Sequence, residues 1–132
     1  PEKLQSIKEE FSIFSDPRDK YVYLVDLAKN SEGLSAENQC EKNRIHGCTS
    51  QAWVTGEMRQ DNFFFKTESD AMIVKGLLSL IERSFNGHTA KEILAIDGKD
   101  FLESVGLDRA ISSQRTNGFS NAINKIQKEL LI

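Results

Sequence analysis

Cysteine occurs only twice in the 132 residues, at Cys40 and Cys48. Two thiols without an export signal point to a reducing cytosol and not to a disulfide-stapled secreted fold, so a Cys40–Cys48 bridge is not expected. The opening stretch, PEKLQSIKEEF, is charged and helical in character, unlike the apolar core of a secretory leader. Long apolar runs are also missing: none approaches the roughly 20 residues that a spanning helix requires. Nor is there an excess of positive charge. Seventeen Lys and Arg stand against 20 Asp and Glu, for a net charge of −3. The basic residues are scattered among acidic ones, which argues against a nucleic-acid partner. There is no internal repeat and no low-complexity linker. What remains is ordinary globular composition, 39% hydrophobic and 28% charged. A chain of this length can bury roughly two thirds of its unfolded surface, so it needs neither disulfide nor metal to fold. The expectation is one soluble, cytoplasmic domain over residues 1–132.

Local patterns divide the chain into helices around a hairpin. Leu4, Ile7, Phe11 and Phe14 recur at helical spacing over Glu2 to Phe14. Asp16-Pro17 reads as an N-cap followed by proline at the first helical position, opening a second helix through Tyr21, Leu24, Val25 and Ala28. Gly33 and the polar run SAENQCEKN predict a loop to about Asn43, and Arg44 to His46 a short strand. Ala52 to Met58 alternates, Asp61-Asn62 suits a turn, and Phe63 to Thr67 returns as an aromatic strand, which predicts an antiparallel hairpin. Ser69-Asp70 reads as a helix start, with a capping oxygen and a first-turn carboxylate. Ile73, Val74, Leu77, Leu78 and Ile81 form its apolar stripe, and Asn86-Gly87 ends it. Thr89 caps a short helix through Ile93 and Leu94, and Asp100 to Val105 forms another turn or two. Phe119, Ala122, Ile123, Ile126 and Leu130 mark a final helix. A small antiparallel sheet flanked by segregated helices is an α+β architecture.

The chemistry centres on RIHGCTSQAW, residues 44–53. Cys48 in this setting has four readings. It can be a buried cysteine packing as a small hydrophobe, although Gly47 before it and Thr49, Ser50 and Gln51 after it suit a displayed turn better than a core. It can be a metal ligand with Cys40 and His46, with His88 a distant fourth, but the usual paired-cysteine spacing of zinc sites is missing. It can be the nucleophile of a small hydrolase or redox enzyme, with His88 as its base or His46, which would share a face with Cys48 in an extended segment. Or its thiolate can accept sulfur from a partner's persulfide, a reaction that needs reach and shelter but no base of its own. The residue types alone leave these readings open.

Three blocks in register resemble the SufE/CsdE family of cysteine-desulfurase partners. NRIHGCTSQAWV, residues 43–54, is similar to that family's G-C-x-S-x-x-W segment around its persulfide cysteine. ESDAMIVKGLLSLI, residues 68–81, resembles its S-D-A-x-I-V-x-G-L helix, and QRTNGF, residues 114–119, the segment that opens its last helix. YVYLVDLAKN is similar to its second helix, so the likeness runs over nearly the whole chain. The resemblance implies an α+β fold similar to the IscU-type scaffold and a role in iron–sulfur cluster assembly. It implies that Cys48 accepts sulfur from a SufS/CsdA-type desulfurase, stimulates that enzyme and passes sulfur to a downstream Fe–S scaffold. The chain would then be a carrier and activator and not an enzyme on a free substrate. It would hold no cofactor and no metal, since the pyridoxal phosphate belongs to the desulfurase. A homodimer stays open.

Other roles follow from the same resemblance. Gly47 gives Cys48 its turn, and Ser50 donates a hydrogen bond to the sulfur or merely forms the turn. Arg115 holds the Cys48 loop or contacts the desulfurase, and Asp70 either favours its helix N-terminus or sits near Cys48. Trp53 packs in the core behind the loop, with contact to substrate as the alternative. His46 stands where family members often carry glutamine and either tunes the thiol or is neutral. No function is carried onto Cys40.

Overall fold

A computed structural model describes residues 2–47 and 50–131, apart from the side chains of residues 2–4. Helix α1 (Glu2–Ser12) buries Ile7 and Phe11; the side chain of Leu4, the first residue of its expected stripe, is outside the described set. Helix α2 (Pro17–Asn30) starts as its sequence predicts, with the Asp16 carboxylate accepting the Arg18 backbone N–H and proline at the first position. Leu24 and Ala28 are its buried residues. Tyr21, expected on the same stripe, is 44% exposed. Tyr23 faces inward in its place: its ring lies 5.2 Å from that of Phe11 and 5.4 Å from that of Phe14, and its hydroxyl donates to Glu10. The loop after α2 holds two single helical turns, Ala36–Asn38 and Glu41–Asn43.

Strands β1 (Ala52–Arg59) and β2 (Asn62–Ser69) pair antiparallel from Ala52↔Ser69 to Arg59↔Asn62. The turn is Gln60-Asp61, one residue earlier than the sequence suggests, with both residues at positive φ (50° and 70°), as tight hairpins require. Phe63, Phe65, Thr67 and Ser69 form one buried face of β2. Strand β1 is buried only at its start; Met58 is 61% exposed. Arg44 makes a single bridge to Trp53, so the short strand expected over residues 44–46 shrinks to one pairing. Trp53 is buried, as expected.

Helix α3 (Met72–Phe85) is apolar on nearly every side and packs against α2, β2, α1 and α6 (Ser113–Lys125). A helix buried all round is a core element and not an amphipathic surface one. Gly76 makes its approach to α2 possible: a Cβ there would strike the Leu24 carbonyl. Helix α4 (Ala90–Leu94) opens with the expected Thr89 cap, reciprocated by Glu92, and α5 (Gly98–Ser104) is capped by Asp97. Helix α6 continues through a wider π-type turn, Ile126–Leu130, where Gln127 donates to the carbonyls of Ile93 and Ile96. The architecture is the expected α+β one. Its consequence for the site is that α6 and the open end of the hairpin hold Gly47 and Gln51, on either side of Cys48 in the sequence.

Candidate functional site

The segments before and after Cys48 are paired to each other. Ile45 donates its N–H to the Ala52 carbonyl at 2.8 Å, next to the Arg44–Trp53 bridge. On the exit side Gln51 is held from the end of β2. Its carbonyl accepts from the Asp70 N–H at 3.1 Å and the Ser69 hydroxyl at 2.8 Å, and its N–H donates to Asp70 Oδ1 at 3.1 Å. Between these anchors Gly47 takes φ +80°, a conformation that favours glycine. Its carbonyl accepts from Asn121 Nδ2 of α6 at 3.1 Å. A Cβ on Gly47 would run into that same amide. Cys48 and Thr49 lie outside the described residues, and so does the expected hydrogen bond from Ser50 to the sulfur; Ser50 itself is half-buried.

Asp70 is the clearest correction to the sequence reading. It lies before α3, whose cap position is Ala71 and whose first turn has no acidic residue. Ser69 is not a cap either: its hydroxyl accepts the Ala71 N–H while donating to Gln51. The reason is positional. Ser69 ends β2 opposite Ala52, so both residues face the strand partner before the helix begins. Asp70 therefore joins the site through Gln51, three residues after Cys48.

Arg115 lies in the first turn of α6, half-buried, and its Nη1 is buried with no hydrogen-bond acceptor among the described residues. A buried guanidinium N–H left unmatched is costly, so this is a donor to spare. His46 points to the surface: its Nε2 lies 3.5 Å from Glu41 Oε1, with both side chains more than 70% exposed. A pair so exposed contributes little to stability. A cleft of about 180 Å³ lined by His46, Asn121, Asn124, Lys125, Lys128 and Glu129 adjoins this side of the turn. Lys125 donates to the Lys42 carbonyl and to Glu129, tying α6 to the segment that leads into the turn.

Cys40 is exposed as a free thiol. His88 pairs through its backbone with Phe63 and contacts Glu92 at 3.2 Å. That puts it near the turn end of the hairpin, while Gly47 and Gln51 sit at the open end. Among the described residues no group of three or more His, Cys, Asp or Glu side chains is arranged to hold a metal ion. No helix among them is long and apolar enough to cross a membrane.

A cleft of about 380 Å³ lies along the hairpin, lined in part by Glu32, Glu57, Arg59, Lys66 and Glu82, and shares none of the described residues that flank Cys48, 44–47 and 50–53. Burial pushes the Glu82 carboxyl up to about 7, against the opposing effect of the Thr67 hydroxyl, which donates to it at 3.2 Å. Sequence reasoning missed Gln51 and Asn121. Gln51 acts through its peptide group, to which side-chain identity is silent. Asn121 is a polar residue on a helix whose buried side alone was legible.

Known proteins give the arrangement its relatives. The solution structure of a hypothetical protein from Thermus thermophilus superposes with a TM-score of 0.82 at 19% identity, covering 98% of this chain and 94% of that one, and shares the fold. An uncharacterized SufE-like protein of Rhizobium meliloti is 35% identical over 130 residues, 96% of this chain and 93% of that protein. One from Synechocystis is 32% identical over 99% of this chain and 82% of its own length. The SufE-like protein 1, chloroplastic/mitochondrial, of Arabidopsis thaliana is 33% identical over 99% of this chain, which spans 35% of that longer protein. The family model described as SufE, Fe-S metabolism associated domain, matches residues 5–130. With its fold and these relatives in agreement, the chain belongs to the SufE family, associated with Fe–S metabolism.

Proposed function

We propose that this chain is a sulfur acceptor and carrier that takes sulfane sulfur onto Cys48 from the persulfide of a pyridoxal-phosphate-dependent cysteine desulfurase. It stimulates that enzyme and hands the sulfur to an Fe–S scaffold. The observation that carries the reading is the frame around Cys48: Gly47 before it and Gln51 after it are each held by hydrogen bonds from a different element, α6 and the end of β2. A nucleophile that must meet a partner's persulfide gains from such positioning, because holding reacting groups in place removes much of the entropic cost of the step.

The transfer is redox-neutral. The Cys48 thiolate attacks the outer sulfur of the partner's Cys–S–SH, a new S–S bond forms at Cys48, and the partner's S–S bond breaks. The electron pair leaves on the partner's inner sulfur, which takes up a proton. The chain needs no cofactor of its own for this step, because the persulfide is made on the desulfurase. Asp70 and Ser69 act by fixing Gln51, and Arg115 supplies a buried donor to whatever acceptor reaches it.

The experiment is a multiple-turnover desulfurase assay with L-cysteine, following alanine. Wild-type protein raises the turnover rate and Cys48→Ser does not. A Cys48→Ser protein that accelerates the desulfurase as well as wild type removes the covalent step. Steady hydrolysis or redox turnover of a small substrate by the protein alone selects the enzyme reading based on Cys48 and His46.

A further inference from the structure

We infer that Asn121 is a positioning residue for the sulfur-accepting cysteine, acting through the backbone of Gly47; the inference rests on the carrier reading above. The entry and exit of the turn are fixed by strand-type pairing and by the Gln51 contacts. Among the described residues, the Asn121 side chain is what holds the interior, with Nδ2 donating to the Gly47 carbonyl at 3.1 Å. That carbonyl belongs to the peptide group whose nitrogen is that of Cys48. A bond to it restrains ψ of Gly47, and so the direction in which the chain delivers Cys48. Glycine at φ +80° is the residue least able to hold such a direction by itself, because its accessible conformations are the widest.

Asn121 is in turn well seated. It lies on α6 between Ser120 and Ala122; Ala122 and Ile123 are fully buried, so the helix cannot roll to follow the loop. The cleft beside it, about 180 Å³ and lined by His46, Asn124 and Lys128, leaves room for one more methylene.

The test compares Asn121→Leu, which keeps the branched shape in a larger side chain without the donor, with Asn121→Gln, which keeps the amide on a longer arm. A net hydrogen bond of ordinary strength corresponds to about a fivefold change in population. In Asn121→Leu, the single-turnover rate constant for persulfide formation on Cys48 at saturating desulfurase falls about fivefold, with the half-saturating concentration unchanged. Amide exchange of the peptide spanning residues 44–51 speeds up by a similar factor. Asn121→Gln recovers most of both, and in Asn121→Leu the melting temperature falls by no more than the few degrees that one lost hydrogen bond accounts for. Unchanged transfer in Asn121→Leu overturns the inference, as does a change confined to half-saturation, which would make Asn121 a docking contact. Failure of wild-type protein to accept any sulfur overturns the carrier reading itself and is seen in the wild-type arm alone.

Discussion

Asp70 and Gln51 exchange two hydrogen bonds, the Asp70 N–H to the Gln51 carbonyl and the Gln51 N–H to the Asp70 carboxylate, each at 3.1 Å. The first continues the hairpin ladder one step past Ala52↔Ser69; the second is made by a side chain. Asp70→Ala keeps the first and loses the second. The expected cost is about 1 kcal/mol in global stability, with faster amide exchange at Gln51. Chemical denaturation and site-resolved exchange check it; unchanged exchange at Gln51 would mean that the carboxylate does not hold the exit of the turn.

Gly47→Ala strikes the site twice. The left-handed φ costs an alanine about 1–2 kcal/mol, and the new methyl occupies the place of the Asn121 amide. Sulfur acceptance is expected to fall further than in Asn121→Leu, and combining the two substitutions should add less than their separate effects, since both remove one contact. Fully additive losses would place the two residues in separate roles.

Gly76→Ala tests the packing that brings α3 to α2. Its methyl meets backbone, the Leu24 carbonyl, and not a side chain that can move aside. A loss of about 1–3 kcal/mol is expected, the usual range for overpacking a core. Thermal melts read it directly, and a variant as stable as wild type would show that the two helices have room to separate.

Glu82 makes stability depend on pH. Its carboxyl is raised to about 7 in the folded chain, against an ordinary value of 4.5. Below about 4.5 both states hold the proton and the group is neutral to stability. As pH rises toward 7 the unfolded chain loses that proton first, so this group's contribution falls and the penalty is complete above 7. Discounted for partial exposure, it amounts to about 2 kcal/mol. Glu82→Gln is expected to be more stable than wild type at pH 8 and to show a flatter profile between pH 5 and 7. A variant less stable at pH 8 would mean that the charged carboxylate is well solvated.

The sequence was most legible where structure is local. The Asp16-Pro17 start of α2, the Thr89 cap of α4 and the Asn86-Gly87 stop of α3 depend on neighbours a few residues away, and each is found where its pattern predicts. Ser69-Asp70 was misread because serine and aspartate before an apolar run look like a helix cap, while the partner that claims them, Gln51, lies 18 and 19 residues earlier. The turn slipped by one residue because Asn62 suits positive φ better than Gln60, yet the register of the buried aromatic face requires Gln60 and Asp61 there. The motif around Cys48 was readable as a motif. Its support from Asn121, 74 residues away, left no trace in composition or period.

The central claim is covalent, and mass spectrometry tests it most directly. Protein incubated anaerobically with a cysteine desulfurase, pyridoxal phosphate and L-cysteine is weighed intact before and after thiol reduction, and the modified peptide is mapped. The account predicts a gain of one sulfur atom that reduction removes, located on Cys48, retained in Cys40→Ser and absent from Cys48→Ser. A gain that resists reduction would be oxidation to sulfinic acid and not sulfur transfer. That result, or no gain at all from a Cys48 thiol that still reacts with alkylating agents, would contradict it.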